Sequence, residues 1–218
     1  MSGPLGFVLD LLFPPKCVFC GKVLDSGESG FCRRCQRELP WLTDGEAELT
    51  GEFFSLCAAP LRYQAKVRDS IHRYKFKGRR GYHKVYGKLV AQCVHDHLDG
   101  RYDLITWVPL SDRRKRERGY DQAFLLASAA ALELGDVAVE TLRKERNTDP
   151  QSGITEDAQR RANVLGAYTP VDPELVAGKR ILLIDDVVTT GSTLSECART
   201  LRTMGAEDVV CAALARAR

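Results

Sequence analysis

The chain has 218 residues, of which 44% are hydrophobic and 28% charged, and its formal net charge at pH 7 is +3. This length suits one α/β domain with a sizeable core and a small additional module. The composition is that of an ordinary globular protein, and so small a net charge does not by itself indicate a nucleic-acid partner.

The first apolar segment covers residues 5–13. It is shorter than a membrane span, no basic region precedes it as in a signal peptide, and Asp10 lies in its middle. We expect a short amphipathic helix that packs on the main domain, and a cytoplasmic protein without a membrane span.

Four of the eight cysteines follow, as Cys17, Cys20, Cys32 and Cys35. Two C-x2-C pairs that are separated by eleven residues bring four thiolates together, which is typical of a structural Zn²⁺ site. Redox pairs are the alternative, but two such pairs so close together, outside a βαβ unit, argue against it. The sequence therefore predicts an N-terminal helix and zinc module over residues 1–42, whose folding depends on the metal. The other cysteines lie on apolar patterns and are expected to be buried: Cys57, Cys93, Cys197 and Cys211.

Residues 53–218 have the pattern of a larger domain, which an acidic, glycine-containing linker over 43–52 precedes. Hydrophobic periodicity predicts short strands within 53–63, helices over 66–76, 82–98, 121–134 and 194–204, and further strands over 103–110, 137–142, 181–184 and 208–214. Strands that alternate with helices in this way predict a doubly wound α/β fold with a parallel sheet.

Residues 66–88 are strongly basic, with nine Lys or Arg residues against one acid, Asp69. Aromatic residues are interleaved with these charges, and aromatic stacking together with phosphate attraction is how single-stranded nucleic acids are held. The alternative is two amphipathic helices whose basic faces are solvated and whose aromatic residues lie in the core. The basic residues that we assign to a polyanion are Lys75, Lys77, Arg79 and Arg80, and the interleaved aromatic residues are Tyr74, Phe76, Tyr82 and Tyr86.

Two later segments carry charge where ligands bind in α/β folds. Residues 111–122 are predicted to form a basic loop after the strand that ends near Pro109, and the carboxyl ends of parallel strands are where ligands sit. Arginine side chains there can bind pyrophosphate oxygens in pairs, although a solvated basic loop is the alternative. Residues 143–163 are polar and long for a connection, and we expect them to cover an active site.

The most informative segment is an apolar strand, residues 181–184, that runs into Asp185 and Asp186. Neighbouring residues of a strand point to opposite faces, so both carboxylates can serve one site only if the chain leaves the sheet there. The next residues offer hydroxyl and backbone N–H groups at the start of a helix, which favours an anion, and Gly191 permits a positive φ. The alternative is a strand end followed by ordinary capping residues. The sequence has neither a Walker A motif nor a dinucleotide-binding fingerprint, and it predicts a site for a phosphorylated sugar.

This segment resembles the phosphoribosyl-pyrophosphate (PRPP) loop of type I phosphoribosyltransferases. In that family the two acids hold the ribose hydroxyls and the loop wraps the 5-phosphate, and Mg²⁺ accompanies PRPP. The resemblance implies a parallel sheet flanked by helices, and catalytic roles for Asp185, Asp186 and Arg118. It implies that PRPP is bound by Asp185, Asp186, Val188, Thr189, Thr190, Gly191, Ser192, Thr193, Arg113, Arg116, Lys144 and Arg146.

Over nearly its whole length the chain resembles the ComF-type phosphoribosyltransferase-like proteins, which are linked to DNA uptake in bacterial competence. The matching segments are residues 12–14 before the cysteines, 71–78, 108–109, 118–122, 146–151, 160–163 and the PRPP loop. The chain departs from the usual pattern at Tyr120, Asp121 and Lys144, where the family commonly has Phe, Asn and Arg, and an Asp side chain cannot donate as Asn does. The resemblance implies single-stranded DNA, a helicase-like motor and recombination mediators as partners.

Two functions follow as hypotheses. In the first, the chain binds PRPP and handles single-stranded DNA during natural transformation. In the second, it is an active phosphoribosyltransferase in which a nucleophile attacks the anomeric carbon while pyrophosphate leaves. No residue stands out as a general base, so the acceptor and the turnover of PRPP stay open.

Overall fold

The computed structural model describes residues 14–145 and 166–217. The predicted helix over 5–13, most of the predicted cover segment and the predicted ligand Arg146 lie outside the described residues. None of the described helices is both long and apolar enough to cross a membrane.

The described part of the chain contains both helices and strands. In chain order they are α1 (Arg33–Glu38), β1 (Glu48–Leu49), β2 (Leu56–Ala58), β3 (Leu61–Arg62), α2 (Ala65–Phe76), α3 (His83–Leu98), β4 (Leu104–Trp107), α4 (Asp112–Arg118), α5 (Gln122–Glu133), β5 (Leu142–Lys144), β6 (Tyr168–Pro170), α6 (Pro173–Val176), β7 (Arg180–Val188), α7 (Ser192–Thr203) and β8 (Asp208–Arg216). Two single turns of 3₁₀ helix, Asp44–Glu46 and Arg80–Tyr82, precede β1 and α3.

The main sheet has the strand order β1-β2-β8-β7-β4, and β3 also pairs with β8. All of its pairings are parallel except the one between β1 and β2. The central strands β7 and β8 are buried on both faces, which explains why residues 181–184 and 209–215 are continuously apolar. Leu182 and Ile184 face the helices α2, α3 and α5, whereas Ile181 and Leu183 face α7. The predicted parallel α/β fold is confirmed.

Four local predictions were wrong. Strand β7 does not end at Ile184 but continues through both acids to Val188. Residues 112–118 form a helix rather than a loop, and part of the predicted linker forms β1, which pairs with β2. The predicted strand over 137–142 gives an isolated bridge between Ala138 and Ile105, while β5 starts at Leu142 and pairs antiparallel with β6 in a separate hairpin.

The cysteine-rich segment shares a hydrophobic core with the α/β domain. Cys17, Val18 and Phe19 belong to the same buried cluster as Tyr74 of α2 and Tyr86 of α3. The Phe19 and Tyr86 rings lie 6.1 Å apart. The domain boundary at residue 42 therefore stays a prediction from the sequence. In the structure, one hydrophobic core includes residues on both sides of it.

Helices α3 and α5 approach closely at Gly87. A Cβ atom at this position would lie 2.5 Å from Ala129 Cβ and 2.8 Å from the Ala129 backbone carbon. We therefore expect Gly87→Ala to lower the free energy of unfolding by about 1–3 kcal/mol, because the helices must separate. Denaturant unfolding measures this loss. Gly81→Ala is the matched control, since a Cβ there meets no atom within 4 Å; equal stability of the two variants would contradict the predicted clash.

Candidate functional site

Four cysteine side chains converge beside α1. The Sγ atoms of Cys17, Cys20, Cys32 and Cys35 all lie within 4.8 Å of one another, and those of Cys20 and Cys32 are 3.7 Å apart. A tetrahedron with Zn–S bonds of about 2.3 Å has S–S edges of about 3.8 Å, so the donor set and its size suit Zn²⁺.

Backbone N–H groups support these sulfurs. Cys20 N–H donates to Cys17 Sγ at 3.5 Å, and Cys35 N–H donates to Cys32 Sγ at 3.4 Å. Burial opposes ionisation of Cys20, but a backbone hydrogen bond at Lys22 and the neighbouring thiols outweigh it and lower the pKa of Cys20 to about 7. A thiolate is the metal-binding form, so this shift favours the state of Cys20 that binds a cation.

The acids of β7 point to opposite faces of the sheet. Asp186 is 4% exposed, its Oδ1 lies 2.6 Å from Lys75 Nζ, and its Oδ2 accepts a hydrogen bond of 3.1 Å from Gln122 Nε2. Lys75 lies in the last turn of α2, and Gln122 is the first residue of α5. The chain therefore does not leave the sheet at the two acids. Side chains from two helices, α2 and α5, contact the Asp186 carboxylate.

Asp185 lies on the other face, in the electrostatic neighbourhood of Cys197, Tyr168 and Lys144. Its Oδ1 accepts a hydrogen bond of 2.7 Å from Asp186 N–H. Burial, followed by the charge of Asp186, raises the pKa of Asp185 to about 7. The two neighbouring carboxyl groups thus have different environments, one paired with a lysine and the other easily protonated.

The turn after β7 has the backbone that the sequence predicted. Gly191 has φ 77° and is the N-cap of α7, so no side chain at this position caps the helix. Thr190 Oγ1 and Ser192 Oγ are hydrogen-bonded at 2.8 Å, and Ser192 N–H donates to Thr190 Oγ1 at 3.4 Å. A helix N-terminus that ends in glycine leaves backbone N–H groups for an anion.

A cleft of about 410 Å³ opens between the carboxyl end of α2 and helix α4. Its lining has three cationic side chains and one acid, Glu117, which accepts a 3.1 Å hydrogen bond from Arg113. The Nη1 atom of Arg118 is buried there and has no hydrogen-bond partner among the described residues. Burial lowers the pKa of Arg118, so an anion in the cleft would relieve an unfavourable environment. The lining residues are Lys75, Phe76, Gly78, Arg114, Glu117 and Arg118.

The predicted PRPP residues are distributed around this region. Arg113 and Arg116 are exposed on α4, and Arg114, which was not assigned, lines the cleft in addition to Arg118. Lys144 donates to Tyr168 Oη at 3.2 Å, and its charge acts on Asp185. The residues that the sequence assigned to the 5-phosphate follow β7 directly and are Thr189, Thr190, Gly191, Ser192 and Thr193.

Sequence reasoning missed the role of Gln122 and placed Lys75 with nucleic acid. Both lie in segments that carried the family resemblance, but no local pattern indicates that either side chain reaches Asp186.

The departure at Asp121 has a structural reason. Its Oδ1 accepts hydrogen bonds of 3.1 Å from the N–H groups of Ala123 and Phe124, so Asp121 caps α5 and needs no donor.

The aromatic residues of the basic segment are mostly in the core. Tyr74 and Tyr86 are fully buried, so for these two rings the structure agrees with the alternative in which the aromatic residues lie in the core. Phe76 is 56% exposed, and the Arg118 guanidinium lies 4.9 Å from its ring centre. Arg80 donates to Gly119 O at 2.9 Å, whereas Lys77 and Arg79 are exposed.

We expect the raised pKa of Asp185 to control stability between pH 4 and pH 7. The folded state holds this proton to higher pH than the unfolded state does, so the wild-type protein loses stability as pH rises through this window. Asp185→Asn removes the titration, and the variant should become more stable than wild type by about 1–3 kcal/mol at pH 8.

Calorimetric unfolding at several pH values measures this difference. Asp103→Asn is the control, because Arg180 lowers the pKa of Asp103 and its carboxylate is ionised in both states above pH 5. Its difference from wild type should stay constant from pH 5 to pH 8. A constant difference for Asp185→Asn as well would contradict the assignment.

Comparison with known proteins gives two domain matches. Residues 121–218 match the phosphoribosyl transferase domain, and residues 8–65 match the double zinc ribbon domain. The second match and the four-cysteine cluster together support a structural zinc ion.

Three relatives extend these matches. Competence protein F of Haemophilus influenzae is 28% identical over 224 residues, which cover 93% of this chain and 97% of that protein. Competence protein ComFC of Streptococcus pneumoniae is 28% identical, with 90% of this chain and 80% of that protein covered. The DNA utilization protein YhgH of Salmonella typhimurium is 36% identical, with 64% and 62% covered. The two domain matches and these relatives together support a ComF-type protein, with a phosphoribosyltransferase-like domain and an N-terminal zinc module.

Proposed function

We propose that this protein binds PRPP at the carboxyl end of β7. The observation that carries the proposal is the turn from β7 to α7, in which two acids precede a glycine with φ 77° at a helix N-terminus. This turn lies within the residues that match the phosphoribosyl transferase domain. The 5-phosphate would bind the N–H groups and hydroxyls of residues 189–193. Although Asp185 and Asp186 point to opposite faces, both lie beyond the end of β4, whose last residue, Trp107, pairs with Ile184. The acids would hold the ribose at this edge of β7.

The diphosphate group would lie against the cationic cleft. Arg114 and Arg118 both line it, and the unpartnered Nη1 of Arg118 supplies a donor that a phosphate oxygen would satisfy. Both oxygens of Asp186 are already hydrogen-bonded, so these acids do not form a carboxylate cage for Mg²⁺. Mg²⁺ would therefore be held mainly by substrate oxygens and water, and would neutralise phosphate charge.

If the protein is an enzyme, the same arrangement favours cleavage of the bond between the anomeric carbon and pyrophosphate. Positive charge that develops on the ribose would be stabilised by the carboxylates, and negative charge on the leaving pyrophosphate by Arg118 and Arg114. The described residues include no group that we assign as a general base.

We expect Gly191→Ala to weaken binding of Mg²⁺·PRPP by about tenfold, because the turn needs a left-handed residue to direct its N–H groups. Isothermal titration calorimetry measures the affinity. Gly178→Ala is the matched control, since Gly178 also has a positive φ, of 70°, but lies before the amino end of β7. If both variants bind PRPP as wild type does, the phosphate is not held by this turn.

The same titration tests the role of the acids in binding, and a separate assay of pyrophosphate release tests turnover. Asp185→Asn combined with Asp186→Asn should abolish the heat of binding if the acids hold the ribose. Release of pyrophosphate from PRPP with a set of acceptors would establish an enzyme, whereas tight binding without release would favour a PRPP-dependent binding protein.

We also propose that the protein handles single-stranded DNA. Two of its relatives are named for competence and one for DNA utilization. The surface that favours this role is formed by Lys77, Arg79 and the exposed ring of Phe76, next to the cleft. Lys75 and Arg80 contribute less to it, because Asp186 and Gly119 engage their side chains.

Lys77→Ala combined with Arg79→Ala should weaken binding of a single-stranded oligonucleotide. If both residues contact phosphates, the slope of log K against log salt should become shallower by about 1.4. Fluorescence anisotropy at several salt concentrations measures this slope. Lys179→Ala combined with Arg202→Ala removes the same charge at the other end of the domain and should leave the slope unchanged; equal slopes for both double variants would contradict the assigned surface.

A further inference from the structure

Helix α2 contacts residues 17–20, here called the zinc loop, through two side chains. Arg73 Nη2 donates to Val18 O at 3.1 Å and to Phe19 O at 2.7 Å, and Ser70 Oγ donates to Val18 O. Val18 and Phe19 are the two residues between the zinc ligands Cys17 and Cys20. These carbonyl groups are held in place when the four thiolates bind zinc, because the metal closes the loop.

The same helix contacts the phosphoribosyl site two residues later. Lys75 Nζ lies 2.6 Å from Asp186 Oδ1, and the side chains of the pair are 19% and 6% exposed. Lys75 also lines the cleft. A long lysine side chain meets a buried carboxylate at this distance only when its helix is correctly placed, since holding it there costs side-chain entropy.

A second route joins the helix to the same carboxylate. Tyr74 Oη donates to Gln122 O at 2.7 Å, and Gln122 Nε2 donates to the other oxygen of Asp186. Residues 73, 74 and 75 thus contact the zinc loop, the start of α5 and the site acid in turn.

We infer that the zinc loop positions Lys75 against Asp186, so that zinc binding and occupation of the phosphoribosyl site are coupled through α2. Arg73 and Ser70 are positioning residues, since they act on the site through Lys75. The identity of the ligand rests on the proposed function, whereas the coupling rests on the contacts of α2. Coupling is reciprocal in binding free energy, so a ligand that contacts Lys75 should also tighten the binding of zinc.

The coupling can be tested without any ligand, by the rate at which a chelator removes zinc. Lys75→Met should accelerate release by about fivefold, because α2 loses its anchor on β7. Lys75→Arg should restore the slow rate. Lys77→Met is the matched control on an exposed residue at the end of the same helix and should release zinc as wild type does. Equal rates for Lys75→Met and Lys77→Met would overturn the inference.

The reverse direction is tested with Mg²⁺·PRPP in calorimetry, on variants whose zinc content is near one ion per chain. Arg73→Ala should weaken binding by about fivefold, and Arg73→Lys, which still donates to a carbonyl, should recover part of it. Arg68→Ala is the control, because Arg68 is exposed on α2 and pairs with Asp69.

A double-mutant cycle completes the test. If Arg73 acts through Lys75, Arg73→Ala should cost no further affinity in the Lys75→Met background. Additive losses would overturn the positioning role. If wild type does not bind PRPP while Lys75→Met still accelerates zinc release, the proposed function fails and the coupling stands.

Discussion

The ion pair between Lys75 and Asp186 is the constraint on which the site depends. A carboxylate that is 4% exposed requires a counter-charge and full hydrogen bonding, and Lys75 and Gln122 supply both. Removal of one partner from such a pair typically costs about 3–5 kcal/mol, because a buried charge is left uncompensated. The pair therefore fixes α2, α5 and β7 relative to one another at the edge of the sheet where the ligand is proposed to bind.

The neighbouring acid shows how one strand can hold two different carboxyl groups. Adjacent residues of β7 face opposite layers, so Asp186 meets the lysine of α2, while burial and the charge of Asp186 raise the pKa of Asp185. Two acids that differ only by one position along a strand can thus occupy different electrostatic environments. This difference arises from the pleat of the strand rather than from the residue type.

Much of the fold could be predicted from the sequence because hydrophobic periodicity is local. The stripes of α2, α3 and α7 and the continuous apolar runs of β7 and β8 identify these elements directly. Helix α4 was missed because it has no apolar stripe. Its sequence nevertheless has signals that could have found it, namely good helix formers between Ser111 and a left-handed Gly119. The continuation of β7 was also readable, since Val187 and Val188 favour a strand.

The residues around the acids could be predicted by type but not by contact. A basic run near position 75 is visible in the sequence, yet its periodicity does not say that one lysine turns inward while Lys77 and Arg79 remain exposed. Which lysine turns inward depends on how α2 packs against β7, because Lys75 and Asp186 are 111 residues apart in the sequence. Gln122 was missed for the same reason, because a glutamine at a helix start has no distinctive local signal.

The shared core of the zinc loop and the α/β domain has an evolutionary consequence. Phe19 lies in the same buried cluster as Tyr74 and Tyr86, and the loop carbonyls are bound by α2. Residues 8–65 and 121–218 match separate domain families, but these segments cannot be exchanged separately between relatives without leaving an unfilled cavity and unpaired carbonyl groups. Substitutions on the two sides of this contact are therefore expected to accumulate in pairs.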